Sequence, residues 1–516
     1  MTFGQESTQA IEQVDVIIVG AGISGVSAAY HLQQHCPNKR FAILEARADV
    51  GGTWDLFRYP GIRSDSDMHT LGFKFRPWRD AKSIADGPAI LDYVKQTVAE
   101  EGIKPHIRHG HALVAANWSS HESRWQLTVN KTAQDGVTEP VDMSCSVLLM
   151  CSGYYNYAEG YTPQFEGMAD YKGEVVHPQH WPESLDYADK NVLVIGSGAT
   201  AMTLVPAMAK TANKVVMVQR SPTYVVSRPD QDKVANFLRK ILPEKLAYRL
   251  TRWKNITMQR LMYDRTRTNP EKVKATLLDM VRTELGPDYD VDTHFTPTYN
   301  PWDQRLCLVP NADLFEAIRT QKAEVVTDQI ECFTENGLRL ASGTELSADI
   351  IVTATGLKMQ WLAGVTFTID DQLIDFPQTY TYKGMMYSGV PNLIQTFGYI
   401  NASWTLRADL TSDFACRVIN HMDAKGVQQV TPRLRAEDKA MPARPWIDDF
   451  SAGYMRRVMH MFPKQGDRMP WLNTQSFALD KKAIEKADLE DGVLRFADEP
   501  ANATMQQSPE RVLSAG

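Results

Sequence analysis

The sequence predicts an α/β protein with two Rossmann-like dinucleotide-binding domains, the second inserted in the first, and a helical insertion. Three observations lead there. An apolar run at residues 14–19 opens into GAGISG at 20–25, and a second run, KNVLVI, opens into GSGATA at 196–201. Two further apolar runs, SVLLMCSGYY (146–155) and ADIIVTATGLKM (348–359), break at glycine and suit strands returning to the first sheet.

Bulk properties set the frame. With 516 residues, 43% hydrophobic and 23% charged, the chain has material for two or three domains with full cores. A net charge of -7 argues against nucleic acid as a partner. Six cysteines without CxxC spacing suggest neither a metal site nor a disulfide framework. The first residues, MTFGQESTQAIEQ, lack the basic flank and apolar core of a signal segment, and no apolar run reaches the ~18 residues of a membrane span. A cytoplasmic location is expected.

In the first unit Gly20 suits the tight turn, Gly22 close approach to a pyrophosphate, and Gly25 helix–strand packing, with Ile23 and Ser24 completing the loop. Glu45 ends the next strand, FAILEA, where a carboxylate accepts from a ribose 2′-hydroxyl. The alternative is a glycine-rich turn that binds nothing. In the second unit Gly196, Ser197, Gly198, Ala199, Thr200 and Ala201 repeat the pattern, but Gln219-Arg220-Ser221 stands where the first has Glu45. Arg220 and the Ser221 hydroxyl suit a 2′-phosphate, which a carboxylate would repel. FAD is therefore expected at the first loop and NADPH at the second, against the plainer reading of Arg220 as a solvated arginine.

The expected divisions are 1–155 for the first part of the FAD-binding domain and 156–185 for a linker. The NADPH-binding domain follows at 186–350, with a helical insertion at about 231–290. Residues 351–516 hold the second part of the FAD-binding domain and the C-terminal region. Within the insertion Pro243, Leu246, Leu250, Trp253 and Leu261 have helical periodicity, with Lys245, Arg249, Arg252 and Lys254 around them. Such charges form an ordinary solvated face more often than a membrane-surface helix, so peripheral membrane contact is the less favoured reading.

Two longer motifs carry a resemblance. Tyr171, Gly173, His177, Trp181 and Pro182 form YxGxxxHxxxWP, which resembles the FxGxxxHxxxW(P/D) fingerprint of type I Baeyer-Villiger monooxygenases, the class B flavoprotein monooxygenases. GGTWDLFRYPGIRSD, through Gly51, Gly52, Trp54, Tyr59, Pro60, Gly61 and Asp65, resembles the family's second signature. YNPWDQRLC and TFGYINASWTLRADL are similar to the ethionamide-activating branch.

The resemblance implies oxidation of ketones to esters or lactones with NADPH and O2 through a C4a-peroxyflavin, together with sulfoxidation. Thr53 and Trp54 would then touch the cofactor, Arg305 would be the active-site cation, and Asp65 would pair with it and orient it. A purely structural ion pair is the alternative for these two. Tyr171 departs from the usual phenylalanine, adding a hydroxyl that needs a polar neighbour. Gln304 departs from a lysine common in the family, leaving the NADPH preference to Arg220. Tyr171 and Trp181 are expected as linker anchors, Gly173 as a source of backbone freedom, and His177 as a bond across the domain seam or a purely structural histidine. Trp404 is either a wall of the nicotinamide or substrate site or a core tryptophan.

Three rivals are weighed: a heteroatom (N/S) oxygenating flavin monooxygenase, a disulfide reductase, for which no cysteine pair is present, and a redox-dependent binding module. Linear aliphatic ketones or thioethers are the expected substrates. Pocket shape should depend on loops around Trp404, the segment after Gly356, and DFSAGYMRRVMHMFPKQGDRMPW.

Overall fold

A computed structural model describes residues 11–497 apart from 305 and 449. Its first sheet has nine strands. The parallel centre runs Ile107–His109, Phe41–Glu45, Glu12–Val19, Thr138–Met150 and Leu393–Gln395. Thr138–Met150 is long enough to serve twice. Its second half lies beside Glu12–Val19, and its first half forms an antiparallel pair with Arg124–Thr132, which extends the sheet outward through His111–Ser119. The central strands are buried on both faces, so they read as continuous apolar runs.

The second sheet is all parallel, in the order Ala323–Thr327, Lys214–Gln219, Asn191–Ile195, Ile350–Thr353 and Glu174–Val176. Two expectations change here. The run at 348–359 does not return to the first sheet, because Ile350–Thr353 lies inside the second one between two parallel neighbours. The expected limit between 350 and 351 therefore falls at the head of a strand. The 156–185 segment is not only a linker, since its Glu174–Val176 is an edge strand. An apolar run reports burial on both faces and carries no information on which sheet supplies the neighbours. The return to the first sheet is made later, by Thr366–Ile369 and Leu393–Gln395.

Two stretches of chain pass between the sheets, and they pair. Tyr155–Gly160 runs outward and Leu357–Met359 runs back, antiparallel, with Leu357 opposite Gly160 and Met359 opposite Tyr155.

The helical insertion contains Lys233–Ile241, Glu244–Thr268, Pro270–Leu285 and Val291–Phe295. Asp232 caps the first by accepting from the Ala235 N–H at 3.0 Å, and Pro270 stands in the first turn of the third, where its missing N–H costs nothing. The periodic apolar residues mark the Glu244–Thr268 helix but not its buried face. Leu246, Leu250, Trp253 and Leu261 are exposed, while Ala247, Tyr248, Thr251 and Arg252 point inward. Arg252, expected among solvated charges, is buried.

The physical reason is the short Met68–Leu71 helix, whose terminal carbonyls have no partner in their own helix. Arg252 donates to the carbonyls of His69 (3.0 Å), Thr70 (3.1 Å) and Gly72 (2.8 Å). It also meets Asp409 at 3.4 Å. Asp409 accepts from Ser27 Oγ at 3.0 Å, and His31 lies 3.6 Å away. Burial pushes the Asp409 carboxyl up, but His31, Arg252 and Ser27 together hold it below the ordinary carboxylate range. Arg252→Ala should cost about 3–5 kcal/mol by leaving this carboxylate and three carbonyls without their cation. Urea denaturation of the flavin-loaded protein checks it, and a loss under about 1 kcal/mol would show that water replaces the guanidinium.

Candidate functional site

The first glycine loop is dictated by close packing. Gly20 has φ +101°, and a Cβ there would stand 2.8 Å from the Cys151 carbonyl oxygen; one on Gly25 would stand 1.9 Å from the Gly20 oxygen. The Ile23–His35 helix therefore starts flush against the strand, with Gly22 as an N-cap that offers no side chain to the first N–H groups. Those donors and the positive helix end face outward. Glu45 lies beneath, its carboxylate accepting from the Ala21 N–H at 2.7 Å and the Arg47 N–H at 2.9 Å. Burial pushes its carboxyl above the ordinary range, against the pull of these donors.

The GGTWDLFRYPGIRSD segment leans on this loop. The Gly51 N–H donates to the Ala21 carbonyl at 3.1 Å, and a Cβ on Gly52 would stand 3.1 Å from the Gly22 Cα. Tyr155 donates its hydroxyl to Thr53 Oγ1 at 2.5 Å. Trp404 donates from Nε1 to Ser24 Oγ at 2.7 Å and stacks on Tyr154 at 5.3 Å. The segment then crosses to the second unit. Arg63 pairs with Asp313 at 2.5 Å and reaches the Met202 carbonyl at 3.4 Å, and the Tyr59 hydroxyl bonds Thr200. Burial pushes the Tyr59 phenol up.

The second loop repeats the first. Gly196 has φ +132°, and Gly198 is the N-cap of Ala199–Met208 without a side-chain bond. Ala201 is fully buried where the small third position packs. A Cβ on Gly198 would meet nothing within 4 Å, so open space adjoins that helix end. Ser197 Oγ donates to the Ser221 carbonyl at 3.0 Å. Arg220 is exposed beside this loop and makes no ion pair among the described residues.

A cavity of about 970 Å³ joins these parts. It is lined by Gly22, Ile23, Ser24, Thr53, Trp54, Asp65 and Trp404 from one side and by Ala199 and Thr200 from the other. The insertion contributes Lys254, Met258 and Met262. Glu45, Gly20, Gly25, Gly196, Ser197, Gly198, Ala201, Arg220 and Ser221 lie outside this lining, as do the five fingerprint residues. Arg305 lies outside the described residues; Trp302 and Leu306 nearby in sequence line the cavity. Sequence reasoning passed over Arg63, Tyr59 as a partner of Thr200, and Tyr155. Arg63 had a signal, since it stands two positions before Asp65 in the signature.

The fingerprint residues lie at the crossing between the sheets. The His177 ring accepts the Gln179 N–H on Nδ1 at 3.1 Å, which leaves the proton on Nε2 facing the Gly356 carbonyl at 3.3 Å. A Cβ on Gly160 would stand 1.9 Å from this ring. The Tyr171 hydroxyl finds its polar neighbour in the Ala348 carbonyl at 2.9 Å. Gly173 is needed for space and not for backbone freedom, because a Cβ would stand 2.3 Å from the Tyr171 hydroxyl and 2.5 Å from the Asp349 carbonyl, while its φ is not positive. Trp181 packs edge-on to Tyr187 at 6.3 Å, with Pro182 after it, half-buried.

A family model described as flavin-binding monooxygenase-like matches residues 82–282, and one for an NAD(P)-binding Rossmann-like domain matches residues 18–86. FAD-containing monooxygenase EthA of Mycobacterium tuberculosis (strain ATCC 25618 / H37Rv) is 54% identical over 491 residues, 95% of this chain and 99% of that one. The chain belongs to the flavin-binding monooxygenase-like family. Among solved structures, an oxidized steroid monooxygenase bound to NADP aligns with a TM-score of 0.74 at 20% identity, over 94% of this chain and 100% of that one. OTEMO in complex with FAD and NADP aligns at 0.65 and 19% identity, over 83% and 89%. These likenesses establish a shared fold, with two Rossmann-like units and helical insertions in this flavin-binding monooxygenase.

The seam histidine of this monooxygenase has a readable pH signature. Burial lowers the His177 pKa below its ordinary 6.5. The unfolded chain then takes up the proton first, so stability is present above about pH 6.5 and declines as pH falls below it. His177→Asn should lose less stability than wild type between about pH 6.5 and 5, read from urea midpoints at stepped pH. Equal slopes would show that the ring is not held neutral at the seam.

Proposed function

We propose that this flavin-binding monooxygenase is a Baeyer-Villiger enzyme. It inserts one oxygen atom of O2 beside the carbonyl of an apolar ketone, giving an ester or lactone, and sulfoxidises thioethers at the same site. The observation that carries this reading is the single cavity on which both glycine loops open, with Asp65 in its wall.

The residues fit the two cofactors. Gly22 and Gly198 each leave a helix N-terminus without a capping side chain, and Gly198 faces open space of the kind a pyrophosphate would fill. FAD is assigned to Gly20, Gly22, Ile23, Ser24, Gly25 and Glu45, with Thr53 and Trp54. The Glu45 carboxylate keeps lone pairs beyond the two it uses, and these can accept from a ribose hydroxyl. NADPH is assigned to the Gly196–Ala201 loop, with Arg220 and Ser221 on the 2′-phosphate. When bound, FAD supplies the reaction with dioxygen and NADPH supplies the electrons.

The chain itself orients and excludes water. Trp54, Trp404, Met258 and Met262 wall the cavity with apolar surface, which strengthens any charge interaction inside. Arg305 is assigned to hold negative charge at the substrate's carbonyl oxygen, and Asp65 to orient that guanidinium. His177, bonded across the seam, is assigned to domain geometry and not to proton transfer.

Arg305→Ala should keep FAD and lose ester formation about a hundred- to a thousandfold, and Asp65→Ala should lose it in the same direction. The measurement is mass spectrometry of products from a ketone panel with NADPH and labelled dioxygen. Near wild-type ester yield in Arg305→Ala would remove it from catalysis, and a wild-type enzyme making S- or N-oxides but no ester would favour heteroatom oxygenation.

Cofactor choice has its own test. Arg220→Ala should raise the NADPH KM about ten- to a hundredfold, through loss of a charge-assisted contact, with little change for NADH. An unchanged NADPH KM would exclude Arg220 from the phosphate site.

A further inference from the structure

The insertion presents to solvent what most helices bury. On Glu244–Thr268 the residues Leu246, Leu250, Trp253 and Leu261 follow the spacing i, i+4, i+7, i+15 and form one stripe, about 22 Å long at 1.5 Å per residue. Trp253 is 67% exposed and Leu261 58%. The adjoining Lys233–Ile241 helix adds Val234, Phe237 (59% exposed) and Ile241 at i, i+3, i+7. Single exposed apolar residues are ordinary, but two helices that pack on each other and each carry an exposed apolar stripe are not.

Charge distinguishes the occupants. Residues 233–265 carry nine Lys and Arg against two Asp and Glu, in a chain whose net charge is -7. Arg252 is the buried one of the nine. Lys233, Lys240, Lys245, Arg249 and Arg265 make no ion pair among the described residues. Apolar stripes flanked by unpaired cations match the boundary between acyl chains and anionic headgroups. A second copy fits less well, since a two-fold contact would bring the same cations face to face. No helix among the described residues is long and apolar enough to cross a membrane, so the stripes would lie along the surface.

We propose that the Lys233–Ile241 and Glu244–Thr268 helices seat this protein on the surface of an anionic lipid bilayer. The same helices form a wall of the large cavity. Val234, Met258 and Met262 from these helices are exposed and line the cavity, so the wall that they form is itself apolar. An apolar substrate dissolved in the bilayer would enter there; this consequence rests on the proposed reaction, whereas the seating does not.

The test uses the full FAD-loaded chain and vesicles of phosphatidylcholine with and without about one-third phosphatidylglycerol. The wild type should co-sediment with the anionic vesicles, weakly or not with the neutral ones, and less in high salt. The double variant Phe237→Glu, Trp253→Glu should not bind, and Lys245→Gln with Arg249→Gln should bind at least about tenfold more weakly. Retained flavin and an unchanged melting temperature confirm folding, and if the glutamate variant fails there, the lysine–arginine pair decides. Wild type that ignores anionic vesicles, or charge variants that bind as tightly as wild type, would overturn the proposal. So would a dimer in sedimentation velocity that the glutamate substitutions dissolve. Vesicle binding is read without turnover, so its failure is separable from failure of the ketone chemistry.

Discussion

Both sheets depend on one joint. The outgoing Tyr155–Gly160 and the returning Leu357–Met359 are hydrogen-bonded to each other, so the units are connected by a ribbon and not by two independent strings. The ribbon is locked at its far end, where Tyr161 donates its N–H to the Gly356 carbonyl at 3.0 Å and Thr355 donates its hydroxyl to the Tyr161 carbonyl at 2.6 Å. His177 fills the remaining space against Gly160 and Gly356. A two-stranded ribbon bends and twists at small cost while resisting relative sliding, because sliding breaks its register. The pairing therefore ties the outgoing and returning stretches to each other at the crossing.

The shared cavity follows from a second constraint, the path of residues 51–65. One end of this segment is held on the first loop by the Gly51 N–H to Ala21 bond. The other seats on the second unit through Arg63–Asp313, Tyr59–Thr200 and Gly61, where a Cβ would stand 2.6 Å from that of Ala207. Both loops thus open on the same space, and Asp65 follows directly after the second anchor, next to Ser64, whose N–H donates to the Ala85 carbonyl at 3.0 Å. Partly buried ion pairs such as Arg63–Asp313 add modest stability but strong directional preference, which suits a seam whose geometry matters more than its strength.

The insertion closes the remaining side, and it inverts the usual helix pattern. Its inward face buries an arginine because carbonyls at the end of a four-residue helix, which lack partners within that helix, and the Asp409 carboxylate await it there. Its outward face keeps leucines, a phenylalanine and a tryptophan in solvent. Burying a cation with four acceptors satisfies every group involved, whereas the exposed stripe is left for another surface to cover.

Local pattern carries what neighbouring residues can encode. Strand, glycine loop and helix are legible together at 14–35 and 191–208, because the turn between them demands glycine and the strands demand apolar residues on both faces. The helical character of the insertion, the small residue at Ala201 and the need of Tyr171 for a polar neighbour were legible for the same reason. Tertiary structure alone decided partners. Ile350–Thr353 joined the second sheet, Glu174–Val176 became a strand, Arg252 turned inward, and Gly173 proved a matter of space, since each outcome depends on residues far away in the chain. Periodicity states that a side chain has a face to hide or show. Which face is hidden is decided by the groups that distant segments bring opposite it.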